Sequence, residues 1–292
     1  MPEAAVMEFI RPQFFPHIWC PGCGHGIIMH AILSAISEIG KRPEEVAVVS
    51  GIGCSGRMPG YINANTLHTT HGRALAFATG LKMARPDLLV IAPMGDGDCA
   101  AIGGNHFIHA ARRNIGIKAV ILNNNIYGMT GGQYSPTTPT GARSTTTPYG
   151  NLDQAFDISK LAVAAGASYV ARTTVFHYLV LKKYLKKSFQ KKGFTVVEVL
   201  TMCPVQFGRK NKLGDGPAML KMFQQKSIPV EKARTMSEEE LEGKFVIGEF
   251  VDRDVEEYAE KYNKLIESLG KVPVDKQLTR RGVNWQTDSR CE

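Results

Sequence analysis

No apolar run in this sequence approaches the ~18 residues of a membrane-crossing helix, so a helical membrane protein is not expected. The opening, MPEAAVMEFIRP, lacks a basic segment followed by an apolar one. No secretory leader is visible, and the chain reads as cytoplasmic. Internal repeats and low-complexity tracts are absent. Basic residues are in excess, for a net charge of +8, which suits an acidic partner or plain solubility. They are not interleaved with aromatics in any patch, so nucleic acid is a poor expectation. Cysteine is scarce, six in 292 residues, and in a cytoplasmic chain six cysteines argue against disulfides. None of them forms a tight ferredoxin-type run. What is plentiful is apolar residues, 43% of the chain, enough to bury the core of one large domain or two small ones.

Residues 88–133 organise the rest. Two apolar runs, Leu88–Met94 and Ile117–Leu122, each end in oxygen-bearing side chains: Gly95-Asp96-Gly97-Asp98 after the first, Asn123-Asn124-Asn125 after the second. A helix-length stretch opened by Gly103-Gly104 separates them. Strand, helix, strand is a βαβ unit, and the crossover makes its strands parallel. Parallel neighbours open their carboxyl ends into one crevice. Asp96 and Asn124 can therefore converge on one object. A carboxylate and an amide oxygen make a thin cage, which suits Mg²⁺ when phosphates and water complete its octahedron. Gly95 and Gly97 leave room for a phosphate at the backbone, and the following helix turns its N-terminus toward the same place. The competing interpretation, an Asp-Gly turn and an Asn-rich loop, does not account for the two patterns ending consecutive strands.

GDG, a crossover, then NN resembles the thiamine diphosphate motif. NNNIYGMTGGQ is narrower and resembles the β subunits of 2-oxoacid:ferredoxin oxidoreductases, over residues 15–210. The resemblance implies a doubly wound, mostly parallel α/β domain. It implies Mg²⁺ held by Asp96, Asn124 and the carbonyl of Ile126, and diphosphate contacts from Gly97, Asp98, Gly128 and Met129. Many members read TKGQ where this chain has Thr130-Gly131-Gly132-Gln133, so a basic group near the substrate is either missing or supplied elsewhere.

Taken in order, FIRPQFFPHIW (9–19) reads as an extended arm on a partner, followed by the C-x-x-C loop Cys20–Cys23. A buried helix is expected over Ile27–Ile39, a strand over Val46–Val49, and then the Gly-rich loop Ser50–Arg57. His68 and His71 precede a helix over Arg73–Ala84. A zinc role for them is weak for want of an acidic third ligand, leaving a hydrogen-bonded loop histidine or a substrate contact from His71. Residues 127–153 read as an ordered active-site loop. Helices are expected over Leu152–Ala165 and Val175–Lys192, with strands over Ser168–Ala171 and Phe194–Leu200. The second helix carries Lys182, Lys183, Lys186 and Lys187 on one face, with Lys191 and Lys192 at its end: a solvated face, or a dock for an acidic electron carrier. Residues 1–208 form the cofactor domain. Residues 209–292 form an extension around the core or a partner, irregular over 209–235, with a capping box at Ser237 and Glu240. A last helix, capped by Asp252, would turn Val255, Tyr258, Tyr262, Leu265 and Leu269 inward.

Cys20 and Cys23 are the only close pair; Cys54 and Cys203 each follow a predicted strand, so they can meet on the same edge as the Mg²⁺ site. Four thiolates suit tetrahedral zinc or an iron–sulfur cluster, and spacing alone does not choose. The family resemblance of CPGCGH, GIGCS and the late CP implies a 4Fe-4S cluster, with Ile52, Gly53 and Ser55 between cluster and thiamine diphosphate. Cys99 reads as a small buried residue and Cys291 as a free one. The resemblance further implies conversion of a 2-oxoacid with coenzyme A to an acyl-CoA and CO₂, with electrons leaving to ferredoxin. An α subunit would supply the pyrimidine-binding domain and the coenzyme A site. GCSGR looks like the 2-oxoglutarate type. Arg57 can clamp a second carboxylate, with His71, Met129 and Thr130 completing the catalytic surroundings, although Arg57 could instead only neutralise the thiolates. Pyruvate or another 2-oxoacid is the alternative substrate. A non-redox thiamine diphosphate decarboxylase subunit has no need of four metal-grade cysteines, and a zinc-stabilised binding module leaves GDG and Asn124 unexplained.

Overall fold

The structure is a computed structural model that describes residues 6–269. Its ten strands are β1 (Val46–Ser50), β2 (Asn65–His68), β3 (Leu89–Gly95), β4 (Ile117–Asn123), β5 (Ile126–Tyr127), β6 (Gln133–Tyr134), β7 (Tyr169–Thr174), β8 (Thr195–Leu200), β9 (Ser227–Pro229) and β10 (Phe245–Asp252). Eight form one sheet in the order β2-β1-β3-β4-β8-β7-β10-β9, while β5 and β6 pair as a separate small ribbon. All neighbours in the large sheet are parallel except β10 against β7. The expected doubly wound, mostly parallel sheet is what forms.

The apolar runs follow from burial on both faces. Val46, Val48, Leu89, Ile91, Val120 and Leu122 pack into one core with the helices His25–Glu38 and Tyr178–Gln190. The alternate residues, Ala47, Val49, Val90, Ala92, Ala119 and Ile121, pack into the other core with the helices Ala74–Ala84, Gly104–Arg113 and Ile158–Ala165. A strand covered on both sides needs no polar face. Register then sets the site: Ser50 lies beside His68, Gly95 beside Leu122 and Asn123 beside Leu200. The carboxyl ends of these five strands therefore open on one edge of the sheet. From β1 the chain goes outward to β2 and then returns to β3 on the other side, which is the switch point where such sheets open a crevice.

Several boundaries differ from expectation. The helix expected from Leu152 begins at Ile158, because Asp157 caps it by accepting from the Lys160 N–H at 2.9 Å. The preceding residues stay tied to the long loop, with Phe156 N donating to Pro136 O. Residues 209–235 are less irregular than expected: Asp215 caps a helix at Gly216–Lys226. The segment ending at Asp252 is strand β10 rather than the approach to a helix cap, and its half-exposed FVIGEFVD hides a pairing with β7. Edge strand β2 is exposed along most of its length and carries no apolar signal. The Ser237–Glu240 capping box is present.

The 9–19 arm is anchored on its own chain. Phe9 and Trp19 are buried, Ile18 N donates to the Tyr61 hydroxyl, and Asn63 N donates to Phe9 O. Contacts divide the chain into a unit ending at Ala259 and a second beginning at Glu260. The last described helix is Tyr258–Leu269, and its Tyr262, Leu265 and Leu269 are exposed rather than inward. Cys291 lies outside the described residues. Among the described residues no helix is long and apolar enough to cross a membrane.

Candidate active site at the carboxyl edge of the sheet

A cavity opens where β1, β3 and β4 end. It is lined by the β1 loop (Ile52, Gly53, Cys54, Ser55), the β3 end (Gly95, Asp96, Gly97, Asp98), the β4 end (Leu122, Asn124, Ile126, Tyr127, Gly128, Met129, Thr130), His71 and His25. It encloses about 530 Å³ including its mouth, the scale of a cofactor site. Every predicted cofactor-binding residue is on this wall. Of the predicted catalytic residues, His71, Met129 and Thr130 are there and Arg57 is not. Arg57 is exposed on the 3₁₀ turn Ser55–Tyr61. Leu122, Tyr127 and His25 are wall residues that motif reading passes over.

Asp96 is buried at the tip of β3. Burial pushes its carboxyl up to about 6, against the lowering effect of hydrogen bonds from Ser135 and Thr137. A buried carboxylate beside a phosphate-sized opening is a hard-cation donor, since a cation replaces the proton that burial favours. Asn124 Oδ1 accepts from the Ile126 N–H at 3.3 Å, and an amide oxygen retains a second lone pair for a metal.

Asp98 has a different part. Its Oδ1 accepts from His71 Nδ1 at 2.6 Å, Gly72 N at 2.7 Å and Ile52 N at 3.3 Å. It thus ties three loops together and orients His71, an arrangement of a hydrogen-bonded histidine held by a carboxylate. Its Oδ2 is buried with no partner, a vacancy in hydrogen bonding that a loaded site can fill. Gly97 is bare for a steric reason as well. A Cβ there would stand 2.2 Å from the Tyr127 ring, so the glycine admits the tyrosine that closes the cavity wall.

The thiols gather beside this cavity. Gly128 lies against both Cys203 Sγ and Cys54 Sγ, 3.5 and 3.7 Å from where its Cβ would be. Cys23 is pushed up to about 12 chiefly by burial, and also by Cys54, Cys203 and Cys20, so all four side chains share one neighbourhood. Cys54 is pushed up to about 11, again mainly by burial. Cys20 is exposed and the others half-buried. Gly24 makes the assembly possible, because a Cβ there would meet Thr201 Oγ1 at 2.2 Å, so the CPGCGH loop can press on the end of β8. Trp19 Nε1 donates to Cys54 O at 2.7 Å, and His25 Nδ1 lies 3.0 Å from Cys23 Sγ. Burial lowers His25 to about 4, so it is neutral at neutral pH. Cys99 is fully buried and apart from this set. Among the described residues no three His, Cys, Asp or Glu side chains are set around a single metal ion.

Residues 51–199 match the family described as thiamine pyrophosphate enzyme, C-terminal TPP binding domain. The 2-oxoglutarate synthase subunit KorB of Methanocaldococcus jannaschii is 53% identical over 264 residues, 90% of this chain and 98% of that one. The chain belongs to the KorB family of 2-oxoacid:ferredoxin oxidoreductase β subunits. The KorB subunit of Archaeoglobus fulgidus is 54% identical over 69% of this chain and 75% of its own length. A solved 2-oxoglutarate:ferredoxin oxidoreductase from Magnetococcus marinus, with 2-oxoglutarate, coenzyme A and succinyl-CoA bound, superposes with a TM-score of 0.83 at 32% identity, covering 94% of each chain. The matched thiamine pyrophosphate-binding segment contains every wall residue of the cavity except His25.

Proposed function

We propose that this chain is the β subunit of a cytoplasmic 2-oxoglutarate:ferredoxin oxidoreductase, interconverting 2-oxoglutarate plus coenzyme A with succinyl-CoA plus CO₂. The observation that carries this reading is Gly128: it lines the cofactor cavity, and the thiols of Cys203 and Cys54 stand 3.5 and 3.7 Å from where its Cβ would be. A decarboxylase without redox chemistry has no use for that adjacency. When bound, thiamine diphosphate supplies the carbanion chemistry that releases CO₂, and a 4Fe-4S cluster takes electrons singly. Asp96, Asn124 and the Ile126 carbonyl hold Mg²⁺. Backbone N–H groups at Gly97, Asp98, Gly128 and Met129 bind the diphosphate. Cys20, Cys23, Cys54 and Cys203 hold the cluster, with Ile52, Gly53 and Ser55 between it and the cavity. Asp98 holds His71 against the cavity, where its outer nitrogen can exchange a proton with substrate. Met129 and Thr130 shape the mouth, the Thr130 hydroxyl being engaged by Gln133 Oε1 at 2.6 Å. Arg57 faces outward from the cluster loop and meets the distal carboxylate of the substrate.

One doubly wound domain holds only the diphosphate half of such a site. An α subunit supplies the pyrimidine-side carboxylate and the coenzyme A site. The test is anaerobic turnover of 2-oxoglutarate with thiamine diphosphate, Mg²⁺, coenzyme A and ferredoxin, with and without the partner. The complex turns over and shows broad absorbance near ~400 nm. Full turnover by the β chain alone, or a colourless active complex, overturns the reading.

A further inference from the structure

The loop after β4 contains a turn that touches the loops of both metal-side residues. Ser135 Oγ and Thr137 Oγ1 donate to the same oxygen of Asp96, Oδ2, at 2.5 and 2.6 Å. The turn also grips the loop that carries Asn124. Asn125 Nδ2 donates to Thr137 O at 2.6 Å, and Thr138 Oγ1 donates to Asn125 O at 2.7 Å. Asn125 sits in the left-handed region, φ 61°, a conformation that costs free energy unless its surroundings hold it.

The hydroxyls of Ser135, Thr137 and Thr138 belong to buried residues, 1%, 2% and 0% exposed. Burying a hydroxyl is unfavourable unless it is matched. Three within four residues, all matched to the β3 and β4 ends, form a bracket between two ligand loops. The bracket is backed from below. Asn123 Nδ2 donates to Glu198 Oε1 at 2.8 Å, so its amide cannot flip without turning oxygen toward carboxylate. Its Oδ1 then accepts from Asn125 N at 3.2 Å, shaping the loop in which Asn124 stands. Arg172 Nε, 2.8 Å from Glu198 Oε2, compensates that buried charge.

We propose that the turn Ser135-Pro136-Thr137-Thr138 positions the cation ligands: it fixes which Asp96 oxygen faces Mg²⁺ and sets the spacing between Asp96 and Asn124. This rests on the assignment of those two residues to Mg²⁺. Hydrogen bonds behind a metal ligand typically change metal affinity ~10–100-fold.

The test titrates Mg²⁺ calorimetrically into the assembled complex at fixed thiamine diphosphate. Thr137→Val, which keeps the shape and deletes the hydroxyl, raises half-saturating Mg²⁺ by ~10–100-fold. Excess Mg²⁺ restores cofactor binding, and Thr137→Ser returns the wild-type curve. If Thr137→Val does not assemble, Ser135→Ala takes its place. Unchanged half-saturation overturns the proposal, as does a deficit that neither excess Mg²⁺ nor Thr137→Ser repairs. Asp96→Ala separates the two ideas. If it abolishes binding while Thr137→Val does nothing, only the bracket falls. If it too leaves binding unchanged, the Mg²⁺ assignment itself falls.

Discussion

Two regions look equally charged with function in the sequence: the strand-end loops carrying Asp96, Asn124 and four cysteines, and the lysine-rich helix Tyr178–Gln190. In three dimensions they differ in kind. On the helix face, Lys182 and Lys186 meet Glu38, Lys187 meets Glu249 and Asp252, and Lys191 meets Asp252 and Asp254. Those cations are already matched by carboxylates of the same chain. At the strand ends the groups converge with bonding capacity left over: an orphaned Asp98 Oδ2, a carboxyl raised by burial, and thiols grouped without a disulfide. Density of charge marks a surface. Convergence with unmatched capacity marks a site.

The largest effect that would break this contrast is at the thiols. Cys203→Ala in the assembled complex is expected to abolish the cluster, read as iron per β chain and as loss of the ~400 nm band. Cys99→Ser, in a separate buried place, is expected to leave the iron count unchanged. A full and stable complement of iron in Cys203→Ala would remove that residue from the set.

Arg57 comes next and sharpens the contrast, because it stands between the two kinds of region: exposed like the lysines, yet one turn past Cys54. It makes no ion pair among the described residues. An exposed pair is worth ~0.2–1 kcal/mol, whereas truncating one partner of a desolvated pair costs ~2–5 kcal/mol. The proposed clamp role places Arg57 in the second class. Arg57→Leu should lower the kcat/KM preference for 2-oxoglutarate over 2-oxobutyrate by ~30-fold or more, equivalent to ~2 kcal/mol. A wild-type preference for pyruvate, or a preference unchanged in the variant, would show that Arg57 is not the clamp.

What the sequence makes legible is what is local or periodic. β3 and β4 are continuous apolar runs because both faces are covered, and GDG and NN sit at their ends, so the crevice can be read directly. Cys54 and Cys203 are legible as strand-end residues for the same reason. The bracket at Ser135–Thr138 is not, because its partners Asp96 and Asn123 lie far away in sequence and a Ser-Pro-Thr-Thr stretch looks like any turn. Asp98 reads as a phosphate contact, since nothing local tells that it binds His71 and Gly72. β2 and β10 are hidden by half-exposure, which breaks the apolar pattern that marks a strand. The fate of the lysine face depends on Glu38 and Asp252, neither of them on that helix.

The smallest expected effect lies on that lysine face. Glu38 is held below the usual carboxylate range first by its hydrogen bond to Lys182 and then by Lys186, yet it lies at the surface, where solvent screens the pairs. The pairs are therefore worth at most ~1 kcal/mol together after screening. A depressed folded-state value means the stabilisation is present above the unfolded carboxylate value and fades as pH falls through the folded one. The double variant Lys182→Ala and Lys186→Ala should thus unfold slightly more easily at neutral pH, with the deficit closing on acidification. Its KM for reduced or oxidised ferredoxin should stay within about twofold of wild type, since removing charges already matched within the chain changes steering little. A large, salt-sensitive rise in that KM, with stability unchanged, would mean that this helix is the carrier's dock and that intrachain pairing does not exclude a charged surface from function.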